Sequence, residues 1–195
     1  MVCRCIPKSI DEQSTFGIRS GLLIRMKRLL LLSLLLLHLG AFAATNSIQV
    51  FFSPNGGCTE AITNTIAKAK NHIIVAAYSF TSNPIAKELK NAHERGVRIT
   101  VILDESNKTA KYSVADFLNN AGVAVFTDGK HAISHSKYMV IDNRITITGS
   151  FNFSKAAEEE NAENLLVIAD PEIARKFSLN WSEHLKHSEK YAKVR

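Results

Sequence analysis

His135, Lys137, Asp142, Ser150 and Asn152 lie in one short stretch, HSKYMVIDNRITITGSFN. Side chains at i and i+2 of a strand face the same way. Over the predicted strand His135–Ile141, His135 and Lys137 therefore project from one face, while Tyr138 and Val140 project from the other and can be core. Asp142 sits at an odd offset from Lys137, in a predicted turn at Asp142-Asn143, where it is expected to brace the hairpin rather than touch a substrate. An imidazole beside a fixed ammonium suits an anionic substrate. The cation holds the anion and stabilises charge growing on its oxygens, and the neutral imidazole attacks or shuttles a proton. After the second strand, Arg144–Thr148, the run Gly149-Ser150-Phe151-Asn152 leads into Lys155-Ala156-Ala157-Glu158, a predicted helical turn. A hydroxyl, an amide and backbone N–H groups at a helix start make a phosphate cradle. Nucleophile, cation and anion nest together describe phosphoryl transfer without a metal.

The plainer alternative is that one His and one Lys on a strand are polar residues on a solvated face. H-x-K-x4-D alone arises by chance in on the order of 1% of chains this long, but a following G-S-x-N makes accident remote. The chain also holds a control. His184-Leu185-Lys186 repeats H-x-K, yet it falls in a helix pattern where i and i+2 diverge, and it reads as a solvated face.

The elements that must position these groups alternate in type. Ser47–Phe52 reads as a strand ending in the turn cluster Ser53-Pro54-Asn55-Gly56-Gly57, and Thr59–Asn71 as a helix with Ile62, Ile66 and Ala69 on one face. His72–Phe80 is a near-continuous apolar run, as in a strand buried on both faces. A helix capped at Ser82 or Asn83, with Pro84 in its first turn, stops at Gly96. Val97–Leu103 is a second buried strand, Tyr112–Asn120 a short helix, and Val123–Phe126 and Glu163–Ala169 further strands. Pro171–His187 is an amphipathic helix with Ile173, Phe177, Trp181 and Leu185 on one stripe. The expected fold class is α/β, a mixed β-sheet sandwiched by helices, in one domain over residues 45–195.

Residues 1–44 read differently. Met26-Lys27-Arg28, the Leu-rich run Leu29–Leu39 and Ala41-Phe42-Ala43 have the basic, apolar and small-x-small pattern of a secretory signal peptide. The run is short for a span, which needs about 20 apolar residues, so no stable membrane span is expected after cleavage. Asp11 and Glu12 are out of place in a signal's n-region, which makes Met26 the expected start, with the mature chain beginning near Ala44 or Thr45. The protein is thus expected to be exported, either periplasmic or secreted. The net charge is +6; residues 1–44 carry six basic and two acidic side chains, so only about +2 remains beyond them, a weak argument for a polyanionic partner. Cys3 and Cys5 leave with the signal. Cys58 is then alone and is expected to be buried. The six His beyond residue 44 show no zinc-like spacing with Cys or one another.

The motif H-x-K-x4-D-x6-G-S-x-N resembles the signature of the phospholipase D superfamily. Together with AAYSFTSNPI, RGVRITVILDE and GSFNFSKAAEEENAENLLVI, it makes residues 47–191 similar to the small bacterial endonucleases of that superfamily, which carry one motif per chain. The resemblance implies a mechanism with no metal or cofactor. One His attacks phosphorus and forms a phosphohistidine, and a second His protonates the leaving oxygen and then activates water. With only His135 in such a motif, it implies a homodimer in which two motifs share one active site across a two-fold axis. It assigns Lys137 and Asn152 to the phosphate, Ser150 to their support, and Asp142 to the catalytic motif. Glu163 is the expected carboxylate that hydrogen-bonds the His; Glu158, Glu159 and Glu160 read as solvated.

Two substrates stay open. The first is nucleic acid, DNA or RNA, with Lys108, Lys111, Lys130 and His131 lining a cationic groove; surface solubility explains these residues equally well. The second is phospholipid, which calls for an apolar docking rim. Phe151 and Phe153 flank the cradle and suit either a lipid or a base stack. A non-catalytic nucleic-acid-binding module is the third possibility, and the intact motif argues against it.

Overall fold

The computed structural model describes residues 46–192; the segment read above as a signal peptide lies outside the described residues. Eight strands form one mixed sheet in the order β1-β7-β6-β5-β2-β3-β4-β8. These are β1 Ser47–Ser53, β2 His72–Ala77, β3 Arg98–Asp104, β4 Ala124–Asp128, β5 Lys137–Ile141, β6 Ile145–Gly149, β7 Glu163–Ala169 and β8 Glu189–Lys190. The pairs β2–β3 and β3–β4 are parallel and all others are antiparallel. The helices are α1 Cys58–Ala67, α2 Asn83–Glu94, α3 Ala115–Asn120, α4 Lys155–Glu159 and α5 Pro171–Leu185, with a 3-10 turn at Glu105–Lys108.

Both faces of the central strands are buried, which explains their unbroken apolar runs. Ile73, Val75 and Ala77 of β2 and Met139 and Ile141 of β5 join Ile62, Ile66, Ile85, Leu89 and Leu118 from α1, α2 and α3 in the larger core. Ala76, Tyr138 and Val140 point the other way, against Ala174, Phe177 and Trp181 of α5. The Trp181 indole N–H donates to the Val75 carbonyl at 2.9 Å, so this large ring is buried without an orphaned donor. The mixed sheet sandwiched by helices is therefore as the sequence predicts. Cys58 is fully buried. Burial and the neighbouring Glu158 charge push its thiol up to about 11, which keeps it protonated and inert.

Several boundaries differ. α1 ends at Ala67 rather than Asn71, and α3 starts at Ala115 rather than Tyr112. Strand β8, two exposed polar residues on the edge of β4, carries no apolar signal to read. Glu158 is not simply solvated. Its carboxylate accepts from the backbone N–H of Gly57 at 3.1 Å and Thr59 at 2.6 Å. It thereby caps α1 where the N-cap residue, Gly57, has no side chain to do so.

At the other edge of the sheet, Phe51 packs into the larger core while Ile48, Val50 and Phe52 of β1 are 60%, 52% and 66% exposed. Among the described residues, no helix is long and apolar enough to cross a membrane.

Candidate active site

The three parallel strands end on the same side of the sheet, at Ala77, Asp104 and Asp128. The antiparallel register brings Lys137 opposite Ala77, Gly149 opposite Leu165 and Ser53 opposite Glu163. The N-terminus of β5, the C-terminus of β6 and the N-terminus of β7 thus meet at this edge, and with them all the predicted site residues except Asp142.

β5 begins at Lys137, so His135 precedes the strand. Its side chain is exposed, and its ring lies 4.6 Å from that of Tyr78, centroid to centroid. Lys137 corrects the sequence reading. The face it shares with Met139 and Ile141 belongs to the larger core, and Lys137 is itself buried, at 7% exposure. Its Nζ donates to the His135 carbonyl at 2.7 Å and lies 5.1 Å from the centre of the Tyr78 ring. Burial pulls this ammonium below its ordinary range, with the Glu163 charge pulling the other way. A cation held by one carbonyl and an aromatic face, with no carboxylate among the described residues in hydrogen-bond contact, is electrostatically hungry for an anion.

Tyr78 was not legible as a site residue, since it sits inside an apolar run. Its carbonyl accepts from the buried Asn107 side chain at 2.7 Å, and its N–H donates to the Ser136 carbonyl at 2.9 Å. It therefore fixes both the backbone between His135 and Lys137 and the ring that touches each. A second brace is Asp104, which accepts from the Ser134 N–H at 2.7 Å.

Asn152 is half-buried, and among the described residues its side-chain oxygen has no hydrogen-bond partner. A buried amide oxygen left unpaired costs free energy unless something completes it. Ser150 is exposed at the end of β6, where its Oγ accepts from the Asn164 N–H at 3.0 Å and the Asn164 side chain at 3.3 Å. It ties the end of β6 to β7, as a supporting residue would. Part of the expected backbone cradle is already used. The Ser150 and Phe151 N–H groups both donate to the Asn164 carbonyl, and the Ser154 hydroxyl takes up the Ala157 N–H at the start of α4. Phe151 and Phe153 also depart from expectation: both are fully buried in the larger core and flank nothing open.

Glu163 stands at the start of β7, where its Oε1 accepts from Asn161 at 3.2 Å. Among the described residues no hydrogen bond joins it to His135; its charge acts on Lys137 instead. Asp142 lies at the opposite end of β5, in a turn whose two central residues have positive φ, 52° at Asp142 and 53° at Asn143. Its carboxylate accepts from the N–H groups of Lys70, Asn71 and His72 at 2.8, 2.7 and 3.0 Å. It braces the hairpin against the start of β2, as its odd offset predicts.

Outside this constellation, Lys108 is committed to Glu105 at 3.1 Å and Glu189 at 3.3 Å, so it adds little to a cationic groove. The second H-x-K also corrects the sequence reading. His184 is not simply solvated, because its Nδ1 lies 2.7 Å from Oδ2 of the buried Asp128.

The sequence and the fold have counterparts among known proteins. Residues 62–185 match the family model described as "Cardiolipin synthase, PLD-like domain". The chain is 39% identical over 160 residues to a phospholipase D of Rickettsia conorii, covering 82% of this chain and 80% of that one. Among solved structures, it is similar to Nuc, a phospholipase D family member from Salmonella typhimurium, with 37% identity and a TM-score of 0.72 over 76% of this chain and 99% of that one. It is also similar to NucT from Helicobacter pylori, with 26% identity and a TM-score of 0.69 over 75% of this chain and 99% of that one. The motif, the mixed sheet that brings its two halves together and these matches agree, and the chain belongs to the phospholipase D superfamily as one of its phosphodiesterases.

Proposed function

We propose that this protein is an exported, dimeric endonuclease that cleaves DNA or RNA through a phosphohistidine on His135. The observation that carries the reading is the exposed imidazole beside a buried ammonium that, among the described residues, no carboxylate neutralises through a hydrogen bond. His135 attacks phosphorus, the P–O ester bond breaks, and the leaving oxygen takes a proton from a second imidazole. That imidazole then removes a proton from water, whose oxygen displaces His135 and releases the phosphate monoester. Lys137 and Asn152 hold the phosphoryl oxygens through both steps. The second imidazole is His135 of another copy. The exposed stripe Ile48, Val50 and Phe52 lies on the strand whose last residue pairs with Glu163. It offers apolar area for a two-fold contact next to the site.

Phe151 and Phe153 are buried and serve neither a lipid nor a base stack, so the choice of substrate rests on other residues. Tyr112, in contrast, is 72% exposed with the Lys111 ammonium 5.3 Å from its ring. It lines a cleft of about 800 Å³ together with Thr81, Ser82, Glu158 and Lys155, the last paired with Glu159 at 3.4 Å, so Lys111 is the cation nearest its ring. An open aromatic face with an adjacent cation is what a stacked base and its phosphate require. The lipid reading keeps one supporting observation: Ile133, two residues before His135, is 54% exposed.

The test mixes the purified chain and His135→Ala, each with plasmid DNA and with phosphatidylcholine vesicles, in excess EDTA, at a temperature where circular dichroism shows both folded. DNA cleavage by the parent alone supports the proposal. Choline release without DNA cleavage moves the protein to the lipase reading, and equal activity in both proteins removes His135 from the mechanism. Sedimentation showing a fully active monomer would sink the shared site.

A further inference from the structure

Asp128 ends β4 with a fully buried carboxylate, and three imidazoles converge on it. Its Oδ1 accepts from the Lys130 N–H at 3.0 Å, which fixes the group and turns Oδ2 toward the histidines. His184 Nδ1 lies 2.7 Å and His187 Nε2 3.3 Å from that oxygen. His131, exposed, completes the group. Its ring centre is 5.1 Å from that of His184 and 5.4 Å from that of His187, and those two are 5.4 Å apart. One potential ligand atom from each of the four residues lies within 4.8 Å of all the others. A buried carboxylate needs one imidazole to satisfy it. A third ring that among the described residues makes no hydrogen bond and packs on the other two goes beyond that need.

We infer that Asp128, His131, His184 and His187 form a binding site for a divalent transition-metal ion of the zinc class, separate from the His135 site. Three imidazole nitrogens and one carboxylate oxygen are the donor set that zinc takes, and four protein ligands close a tetrahedral site, the arrangement of structural rather than catalytic zinc. The Lys130 N–H on Oδ1 is the outer contact that orients a ligating carboxylate. Four segments meet there: the end of β4, the loop 129–136, the C-terminal turn of α5 and the lead into β8. A bound ion clips the C-terminal helix to the loop whose far end carries His135, and Asp104 holds the same loop at Ser134. The spacing hid this site because its ligands come from two places far apart in sequence, with no Cys among them.

The test is binding of zinc alone to the chelator-treated whole chain, by equilibrium dialysis with elemental analysis and by thermal melting. It reads no activity, so its result is independent of the phosphodiesterase reading. One zinc per chain is expected, with the Tm rising about 5–10 °C at free zinc a hundredfold above Kd. His131→Ala and His187→Ala should each weaken binding by about tenfold or more. His131 is exposed and makes no hydrogen bond among the described residues, so His131→Ala should melt like the parent without zinc, which separates lost binding from lost folding. His135→Ala should bind zinc as the parent does. Failure of the folded parent to hold zinc, affinity unchanged in His131→Ala and His187→Ala, or zinc lost from His135→Ala would each overturn the inference.

Discussion

The two ends of β5 carry two residues of one motif in opposite states. At the N-terminal end Lys137 is buried, and its charge meets one carbonyl and an aromatic face. At the C-terminal end Asp142 is half-buried and saturated by three backbone N–H donors. One group is left wanting a partner and the other has all it can use. A sequence signature thus mixes a residue that reacts with an anion and a residue that builds the strand presenting it. Burial and partner count, which the motif does not display, tell the two apart.

The largest expected effect lies beside the reactive end. His135→Ala removes the proposed nucleophile, and turnover should fall by about 10⁴-fold or more. The side chain is exposed and makes one ring contact, so Tm should stay within about 2 °C of the parent. Single-turnover kinetics with a melting scan reads both, and a variant that loses activity only by unfolding would break the contrast. The parent's kcat/KM should be bell-shaped in pH, because the two imidazoles of the shared site must hold opposite protonation states. A monotonic profile over pH 4–9 would remove the second histidine.

Lys137→Met should cost about 10²–10³-fold in turnover through lost anion stabilisation, yet gain about 0.5–2 kcal/mol of stability. Burial holds the folded ammonium below its ordinary 10.5, so the unfolded chain binds this proton more tightly. Stability of the parent should therefore rise with pH between the lowered folded value and 10.5. The methionine variant should lack that rise. Urea titrations across this range check the sign.

Much of this was legible in advance for a definite reason. Period-2 and helical patterns are fixed by which faces are buried, and here both faces of the central strands are, so β2, β3 and β5 announce themselves as apolar runs. Asp142 was legible because an odd offset along a strand is a geometric statement. Lys137 was placed on the right face, but not recognised as buried, because the alternation says which side a residue takes and not how far the core extends. Phe151 and Phe153 looked like rim residues from their neighbours in sequence; the crossing from β6 to α4 turns both inward. Tyr78 and the Asp128 cluster depend on tertiary contacts between distant segments, which no local pattern carries.

At the saturated end, Asp142→Asn should cost about 1–3 kcal/mol, since the amide keeps one acceptor oxygen where three N–H groups now find two charged ones. Burial alone would raise this carboxyl. The N–H groups of His72, Lys70 and Asn71 more than offset it and hold the carboxyl below its ordinary 3.8. The stabilisation is present above that value and is lost as pH falls through the lowered folded value, so the variant's stability should change less over this acid range. Its turnover, measured well below its melting temperature, should stay within about tenfold of the parent. A loss as deep as that of Lys137→Met in a folded Asp142→Asn would mean that the two ends of β5 are not divided as proposed.

The smallest expected effect is at Ser150, which lies near the reactive end but is bonded like the architectural one. Its hydroxyl oxygen accepts from two groups of Asn164, and that pairing joins β6 to β7 just before the chain delivers Asn152. If Ser150 acts only by holding this corner, Ser150→Ala should cost about 0.5–1.5 kcal/mol, the net worth of ordinary hydrogen bonds. Turnover should fall by less than tenfold, and most of the change should appear in KM as Asn152 loosens. If the hydroxyl instead meets the phosphoryl group in the transition state, kcat should fall by about 100-fold with Tm unchanged. The kcat and KM values of this one variant, set beside its melting curve, decide whether the division between reacting and building residues follows position along the sheet or the partners each side chain already has.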